Sequence, residues 1–354
     1  MREYPEEEYY LLANDEIPLE LLLPDNWHIV TDTGPFRNSK LWGIVRLPYH
    51  IKRLGLDVFW GPNFVLPHKV VETKYFVSIY DLAAWRFPDT IERSNAVRLH
   101  LRVKRACKRA DGIIAISCAT ADDMIDIFGI SPDVIKVCYC GGSACSDSGS
   151  LGEDGKAGYH KADMGYINEC LDFEEEFFLF ISTIEPRKNV VSIIHAFEKY
   201  KKKSGSPIKL VLAGKRGWNC DDIYKMVENS TYKKDIVMPG YITDNEKEYL
   251  YCNAKLLLFP SIYEGFGIPV LEAMEHRLPV ITSRVSSLPE VGGDAALYVE
   301  NPYDIDAILE NIDKICNMSA EETAELQKKM EQQVKKFSWI ETANGIMDLF
   351  LNRT

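Results

Sequence analysis

Short apolar runs alternate with amphipathic helical patterns along most of this chain of 354 residues. Parallel strands need a long crossover between them, so this alternation predicts βαβ units and parallel sheets in an α/β fold. The length suffices for two α/β domains of ordinary size. The predicted strands are 27–30, 57–60, 75–80, 112–116 and 134–138 in the first half, and 177–181, 208–213, 236–238, 254–259, 279–282 and 296–299 in the second.

A glycine-rich stretch separates the two halves. Six glycines fall between positions 141 and 158, and apolar periodicity is almost missing as far as position 168, which is typical of a linker or a long exposed loop. Near the other end, apolar residues from Trp339 to Phe350 follow helical spacing. We therefore expect a first domain at 1–145, a linker at 146–171, a second domain at 172–336 and a C-terminal helix at 337–354.

Composition and charge narrow the functional classes. Apolar residues make up 46% of the chain and charged residues 27%, as in ordinary soluble globular proteins. The net charge of −12 argues against a general nucleic-acid binder. The chain has no run of 18 apolar residues, and its start is acidic instead of basic, so the sequence predicts neither a transmembrane helix nor a signal peptide.

The nine cysteines are an odd number scattered over the chain, which is not the pattern of a disulfide framework. A reducing cytoplasm is the simpler interpretation, and we expect a cytoplasmic protein. The one local cluster is Cys138, Cys140 and Cys145, without a second CxxC pair or a spaced pair of histidines. We interpret these residues as thiols beside a loop and expect no metal cofactor.

The segment 259–274 carries most of the functional signal. An apolar run ends at Pro260, a glycine-rich turn follows, and Pro269 stands where the first turn of a helix is predicted. Glycines let backbone amides approach a ligand, and a helix N-terminus favours an anion, so such a turn suits a phosphate. A plainer interpretation is an ordinary helix start with one exposed glutamate. The turn and its two bracketing carboxylates are Glu264, Gly265, Phe266, Gly267 and Glu272.

This strand, turn and helix, with two glutamates at this spacing, resemble the signature of the family 4 glycosyltransferases, which are retaining enzymes that use nucleotide sugars. The resemblance covers nearly the whole chain and is most specific over 177–299. It implies that the C-terminal helix crosses back to the first domain, which forms the acceptor side. It implies the GT-B architecture, in which two Rossmann-like domains face each other and the second binds most of the donor. It implies that Glu264 contacts the transferred sugar, together with the amides of Gly265, Phe266 and Gly267. It also implies that Glu272 contacts the ribose of the donor, and that Tyr241 and Ile242 lie beside the base.

Two cations follow the first predicted strand of the second half. Arg187 and Lys188 lie at the carboxyl end of that strand, where open α/β sheets bind their ligands, and Asn189 is the expected N-cap of the next helix. We interpret the pair as neutralising a nucleotide diphosphate, and solvated surface charges are the alternative. The single Asp-x-Asp, at Asp304 and Asp306, is interpreted as a helix cap. The expected chemistry is therefore metal-independent, with the two cations as the charge sink.

The first half fits the same family with one departure. Asn63 and Asp81 each follow a predicted strand and are expected in the cleft, with loop capping as the alternative for Asp81. Relatives often carry a histidine before this aspartate, whereas this chain has Tyr80. A phenol donates a hydrogen bond but carries no positive charge at neutral pH, so Tyr80 does not replace an imidazolium.

A second departure lies at the start of the chain. Residues 1–12 resemble the segment that follows the first strand, glycine-rich loop and helix of the family, so that unit is expected to be missing and one sheet position unfilled. A start codon assigned too late, a partner chain that supplies the unit, or an impaired chain would each explain this.

A basic amphipathic helix is predicted before position 110. Such helices lie on anionic membrane surfaces in some proteins, which suits a lipid-linked acceptor and peripheral contact with the inner membrane face. A solvated face is the plainer interpretation. The basic positions are Arg98, Arg102, Lys104, Arg105, Lys108 and Arg109, and Val97, Leu101 and Ala110 are among the apolar ones.

We expect transfer of a sugar from a nucleotide diphosphate donor to a glycan or a lipid-linked glycan. The stretches 33–42 and 61–64 resemble bacterial mannosyltransferases of surface-polysaccharide assembly, so GDP-mannose is the first expected donor, although no residue excludes a UDP-sugar. The alternatives are a nucleotide-sugar-binding subunit that is inactive alone, a sugar-nucleotide epimerase on the same architecture, and a glycosidase that uses two carboxylates as acid and nucleophile.

Overall fold

The computed structural model describes residues 4–15, 23–32, 41–70, 72–90, 93–142, 167 and 175–351, without the side chains of 93–99 and 101. Apart from Ile167, the predicted linker from position 146 to 171 lies outside these residues, as do Cys145 and positions 33–40. Within the described part, every pairing between strands is parallel, which confirms the predicted α/β fold.

The described residues of the first half form two parallel sheets. One pairs β1 (Tyr9–Ala13) with β2 (Trp27–Thr31), and the other has the order β3-β4-β5-β6. All the predicted strands of this half are present, but β1 was not predicted. Its five residues are half-buried throughout, so the run lacks the alternation that identifies a strand in the sequence. The remaining strands are β3 (Val58–Gly61), β4 (Lys74–Ile79), β5 (Gly112–Ala115) and β6 (Ile135–Val137).

In the part of the first half that the structure describes, four α-helices accompany these sheets. The predicted basic helix is present and buries Val103, Ala106 and Cys107, while Ala110 is half-buried. Part of its basic face packs within the protein, since Arg109 donates a hydrogen bond to the Pro67 carbonyl. The side chains predicted at Val97, Arg98 and Leu101 lie outside the described residues. The helices are α1 (Leu47–Leu54), which follows a π-helical turn (Trp42–Arg46), α2 (Ala83–Arg86), α3 (Arg93–Arg109) and α4 (Cys118–Phe128).

The second half is a single six-stranded sheet with the order β12-β11-β10-β7-β8-β9. Its two central strands are completely buried, as their continuous apolar runs predict. All six strands were predicted; the ends of β7 match, and those of the other five differ by at most two residues. They are β7 (Phe177–Ile181), β8 (Lys209–Ala213), β9 (Ile236–Gly240), β10 (Leu256–Phe259), β11 (Val280–Ser283) and β12 (Leu297–Val299).

The last helix of the chain returns to the first half. Its Phe350 ring lies 4.7 Å from that of Phe76 and 5.9 Å from that of Trp60, and Ile346 is buried with Ile114. The helices of this half are α5 (Val190–Ser204), α6 (Asp221–Asn229), α7 (Asp244–Asn253), α8 (Ile268–Glu275), α9 (Leu288–Gly292), α10 (Ile305–Cys316), α11 (Ala320–Val334) and α12 (Trp339–Leu351).

Candidate active site

The strand order of the six-stranded sheet brings the two predicted motifs together. Strands β7 and β10 are neighbours, but the chain continues from β7 to β8 on one side and from β10 to β11 on the other. Such a reversal opens a crevice at the carboxyl ends of the two strands, where open α/β sheets bind ligands. Arg187 and Lys188 follow β7, and Glu264 follows β10. The crevice is therefore lined by both loops.

Glu264 and the two cations form a buried charge cluster. Lys188 Nζ lies 2.7 Å from Glu264 Oε1, and Arg187 Nη1 lies 3.2 Å from Glu264 Oε2. Arg187 Nη2 also lies 2.8 Å from Glu185 Oε1. Only 7% of Lys188 and 13% of the Arg187 side chain are exposed, so the alternative of solvated surface charges is wrong for this pair, and Glu264 is buried to the same extent as Lys188. Sequence reasoning missed Glu185, which is almost completely buried.

The pKa values in this cluster follow from burial and from opposite charge. Burial alone would raise the pKa of the Glu264 carboxyl, but Lys188 and Arg187 outweigh it and hold that pKa below its usual range. Burial dominates at Glu185 and raises its pKa, although both cations oppose the shift. At Arg187, burial is outweighed by Glu264, Glu185 and Asp81, which raise the pKa of the guanidinium. The site therefore contains a stable carboxylate and a permanent cation.

The glycine turn has little room. A Cβ atom on Gly265 would lie 2.0 Å from the carbonyl oxygen of Tyr80, which belongs to the first half. Gly267 precedes α8 with a φ of 111°, a conformation that favours glycine, and no side chain caps the helix there. Pro269 occupies the first turn as predicted. Phe266 is buried, and its ring packs against those of Tyr139 and Phe337.

Two serines that the sequence analysis missed hold this turn. Ser286 Oγ accepts a hydrogen bond from the Glu264 amide at 2.9 Å. The Ser287 hydroxyl lies 3.0 Å from the carbonyl of Glu264 and 2.8 Å from that of Phe266. Both serines follow β11, the strand next to β10, so only the strand order relates them to the turn.

Glu272 is buried on α8, and the alternative that placed it on an exposed face is wrong. Its Oε1 lies 2.9 Å from Lys247 Nζ, and its Oε2 accepts a hydrogen bond from the Tyr251 hydroxyl at 2.9 Å. Both partners belong to α7. These contacts fix the orientation of the carboxylate.

The residues expected beside a nucleotide base follow β9. Tyr241 is 69% exposed, and Lys215 Nζ lies 4.4 Å from its ring centre. Ile242 is half-buried against the core of the second half. An exposed aromatic face beside a cation offers a flat surface for stacking.

The first half contributes residues at the end of β4. Asp81 Oδ1 accepts a hydrogen bond from the Ala83 amide at the start of α2, and its charge also acts on Arg187. The Tyr80 hydroxyl donates to the carbonyl of Pro62, and burial raises the pKa of this phenol. Asn63 is exposed in the loop next to Pro62. Asp81 thus combines the predicted cap with a place near the charge cluster.

Direct hydrogen bonds join the two halves around this site. The Tyr263 hydroxyl donates to Asp123 Oδ2 at 2.6 Å and accepts from the Leu82 amide at 3.1 Å. The two Glu290 oxygens accept hydrogen bonds at 2.7 and 2.8 Å from the first two amides of α4. None of these contacts was predicted, because each joins residues that are at least 140 positions apart.

Comparison with known proteins identifies the family. Residues 170–337 match the model of "Glycosyl transferases group 1". O-antigen chain mannosyltransferase B of Escherichia coli is 31% identical over 288 residues, which cover 80% of this chain and 71% of that protein. The chain belongs to the group 1 glycosyltransferases, in family 4. A second relative of this glycosyltransferase, the serotype-specific mannosyltransferase WbdA of Escherichia coli, is 31% identical over 69% of this chain but only 29% of its own length.

The solved structures agree with the GT-B architecture. Sucrose-phosphate synthase from Thermosynechococcus elongatus superposes with a TM-score of 0.68 at 18% identity, over 98% of this chain and 88% of that one. This chain therefore shares the GT-B fold, as its family predicts. No helix in the described part is both long enough and apolar enough to span a membrane.

The described cysteines form no disulfide. Burial raises the pKa of Cys138 and of Cys140 to about 11, so both thiols stay protonated near neutral pH.

Asp304 caps α10 by accepting hydrogen bonds from the amides of Asp306 and Ala307, as predicted. Asn189 stands at the predicted N-cap of α5, but its amide group donates to carbonyls at positions 260 and 302 and does not cap the helix.

Proposed function

We propose that this glycosyltransferase transfers mannose from GDP-mannose to a glycan or a lipid-linked glycan, with retention of anomeric configuration and without a metal ion. The observation that carries the transfer is the buried cluster of Glu264, Arg187 and Lys188 at the reversal of strand order. The choice of mannose rests on the printed names of the relatives, which are mannosyltransferases.

In this proposal, the bond between the anomeric carbon and the diphosphate oxygen breaks, and its electron pair stays on the diphosphate. Arg187, Lys188 and the amides at the start of α8 stabilise that negative charge. The acceptor hydroxyl forms its bond to the same face of the sugar and loses its proton to the departing phosphate. Glu264 orients the sugar hydroxyls, and Glu272 takes the ribose. Because the cations already pair with Glu264 and Glu185, their side chains are held in place before the donor binds.

Calorimetry and product analysis test this proposal. We expect GDP-mannose to bind more tightly than UDP-glucose or UDP-N-acetylglucosamine, and transfer to continue in the presence of EDTA. The anomeric proton signal of the product should have the configuration of the donor. Glu264→Gln should lower kcat by about a hundredfold or more, as loss of one preorganised electrostatic group does. Binding of UDP-sugars alone would reject mannose, and full activity of Glu264→Gln would reject the site.

In the described part of the chain, the four-stranded sheet of the first half has an unpaired edge, which suggests a partner on the acceptor side. Among the described residues, β1 and β2 form no hydrogen bonds with β3, so β3 ends its sheet as an edge strand. We propose that a strand from a partner chain pairs there. Addition of such a strand should raise transfer activity without changing the affinity for the donor. A fully active chain with no partner would argue against this requirement and against an inactive binding subunit.

Vesicle binding tests the proposed peripheral membrane contact. The basic side chains of α3 that the structure describes would supply the attraction to anionic lipid. We expect the chain to sediment with vesicles containing phosphatidylglycerol and not with vesicles of phosphatidylcholine alone. Equal sedimentation with both would contradict an electrostatic contact.

A further inference from the structure

Three metal-ligating side chains converge behind Glu272, on the far end of α8. Glu248 and Cys252 stand four residues apart on α7, so both face the same side of that helix. His276 follows the last turn of α8. One ligand atom from each residue lies within 4.8 Å of the other two. We call these residues the Glu248–Cys252–His276 cluster.

The imidazole of His276 is oriented as a ligand would be. Its Nδ1 lies 2.7 Å from the carbonyl oxygen of Glu272. Because a carbonyl only accepts hydrogen bonds, Nδ1 carries a proton, and in the neutral ring Nε2 presents a lone pair. Metal-binding histidines almost always make such a hydrogen bond with the nitrogen that does not bind the metal.

The Nε2 atom of His276 points into the cluster without a hydrogen bond. The side chain is only 5% exposed, and Nε2 is buried and has no hydrogen-bond partner, although Glu248 Oε1 lies 2.9 Å away. A neutral Nε2 that faces a carboxylate without a hydrogen bond is unfavourable, and a cation bound between the two groups would remove that cost. The Glu248 side chain is 30% exposed, which leaves a route from solvent.

We propose that this cluster binds one Zn²⁺ ion. A nitrogen, a thiolate and a carboxylate oxygen are the ligand types that zinc prefers, whereas Mg²⁺ and Ca²⁺ prefer oxygen alone. Ligand atoms of a tetrahedral zinc site lie roughly 3.3–3.8 Å apart, given metal–ligand distances of about 2.0–2.3 Å. Modest side-chain movements therefore close the cluster around the ion. Binding releases the Cys252 thiol proton to solvent, and a water molecule completes the coordination.

The zinc ion would tie α7 to the end of α8. The ring of His276 stacks on that of Tyr251 at 5.2 Å, and Tyr251 donates its hydroxyl to Glu272. The ion thus lies beyond the side chains that orient Glu272, and is structural. It supplies no charge to the leaving diphosphate, so metal-independent transfer and this site are compatible.

Metal titration of the full chain tests the site. We expect one Zn²⁺ per chain in competition with a chromophoric chelator, and one Co²⁺ with the near-ultraviolet charge-transfer band of a thiolate ligand. Cys252→Ser should remove the band, and Cys252→Ser and Glu248→Gln should each weaken Zn²⁺ binding by at least about tenfold. The matched control is Cys316→Ser, since Cys316 is half-buried like Cys252 but lies on α10, and it should bind as the wild type does.

A second measurement keeps the test independent of variant folding. At the same Zn²⁺ concentration, the Tm of the wild-type chain and of Cys316→Ser should rise more than that of Glu248→Gln, because the ion binds the folded site and its stabilising effect falls with affinity. If the wild-type chain binds no stoichiometric Zn²⁺, or binds Co²⁺ without showing the thiolate band, then His276 and Glu248 form only an ion pair. Wild-type affinity in Cys252→Ser would also overturn the proposal.

Discussion

At the scale of single residues, Glu264 combines deep burial with a lowered pKa. An isolated carboxylate at such a position would favour protonation, and it stays ionised because Lys188 and Arg187 are in contact with it. The same contacts hold the two cations in the crevice. A carboxylate and its counter-ions are therefore mutually dependent, and removal of one affects the stability of the fold as well as any chemistry.

The stability of the chain should depend on pH through Glu264. Because the folded pKa lies below the unfolded value of about 4.3, ionised Glu264 stabilises the fold above that value, and this contribution is lost as pH falls through the lowered folded pKa. We expect Glu264→Gln to lower the free energy of unfolding by about 3 kcal/mol at neutral pH. The difference from wild type should shrink below about pH 4, as measured by urea unfolding.

The control for this experiment is Glu325→Gln. Glu325 also has a pKa lowered by a nearby cation, Lys329, but the pair is exposed on α11. Exposed pairs of this kind contribute little to stability, so the variant should unfold as the wild type does at every pH. A wild-type unfolding curve for Glu264→Gln at neutral pH would contradict the interpretation of Glu264.

Gly265→Ala should push the glycine turn away from the first half at the site. The added methyl group would meet the backbone of Tyr80 at 2.0 Å, and a backbone atom cannot move aside as a flexible side chain does. A displacement of about 1 Å at a reacting centre costs about a hundredfold in rate, so we expect kcat to fall by that factor. Gly43→Ala serves as the control because its added methyl meets nothing within 4 Å. Equal activity of both variants would show that the close approach has no role.

At the scale of secondary-structure elements, the sequence predicted eleven of the twelve described strands. Strands such as β7 and β10 are continuous apolar runs, and burial on both faces makes such runs easy to recognise. The order of strands within the sheet is not written in any local pattern. For that reason the sequence placed Arg187 and Glu264 in separate loops, and it did not indicate Ser286 or Ser287.

The side-chain contacts between elements were the least predictable part of the site. Tyr251 and Lys247 on α7 orient Glu272 on α8, although nothing in their spacing relates them to that glutamate. Propensity and periodicity report which face of a helix is buried, and they do not report which neighbour covers it. The resemblance to a family predicted which residues would face a ligand, whereas the residues that support them had to be found in the structure.

Tyr263→Phe tests the connection between the glycine turn and the first half. The Tyr263 hydroxyl binds Asp123 on α4 and the Leu82 amide before α2. Without it, a buried carboxylate oxygen and a buried amide each lose a partner, so we expect the free energy of unfolding to fall by about 1–3 kcal/mol. Urea unfolding measures the change. Tyr303→Phe is the control, because Tyr303 is 58% exposed. An equal, small effect of both substitutions would argue against this connection.

At the scale of the whole molecule, the two halves are joined both beside the crevice and through the last helix. The loops around Tyr263 and Glu290 contact the first half beside the crevice, and α12 contacts it through β6 and the rings of Trp60 and Phe76. The last helix is therefore part of the core of the first half, although it follows the second half in the chain. The stability of the first half should then depend on a residue near the C-terminus.

Phe350→Ala should destabilise the first half selectively. The substitution removes a ring packed on Phe76 and Trp60 and leaves a space among buried side chains, which should cost about 2–3 kcal/mol. Amide hydrogen exchange should quicken in β4 and β5, while β7 and β8 keep their protection, because their core does not include α12. Ile340→Ala is the matched control, since Ile340 lies on the same helix but is 58% exposed. Faster exchange in both halves alike would show that the molecule unfolds as one cooperative unit, and unchanged exchange in β4 would show that α12 contributes nothing to the first core.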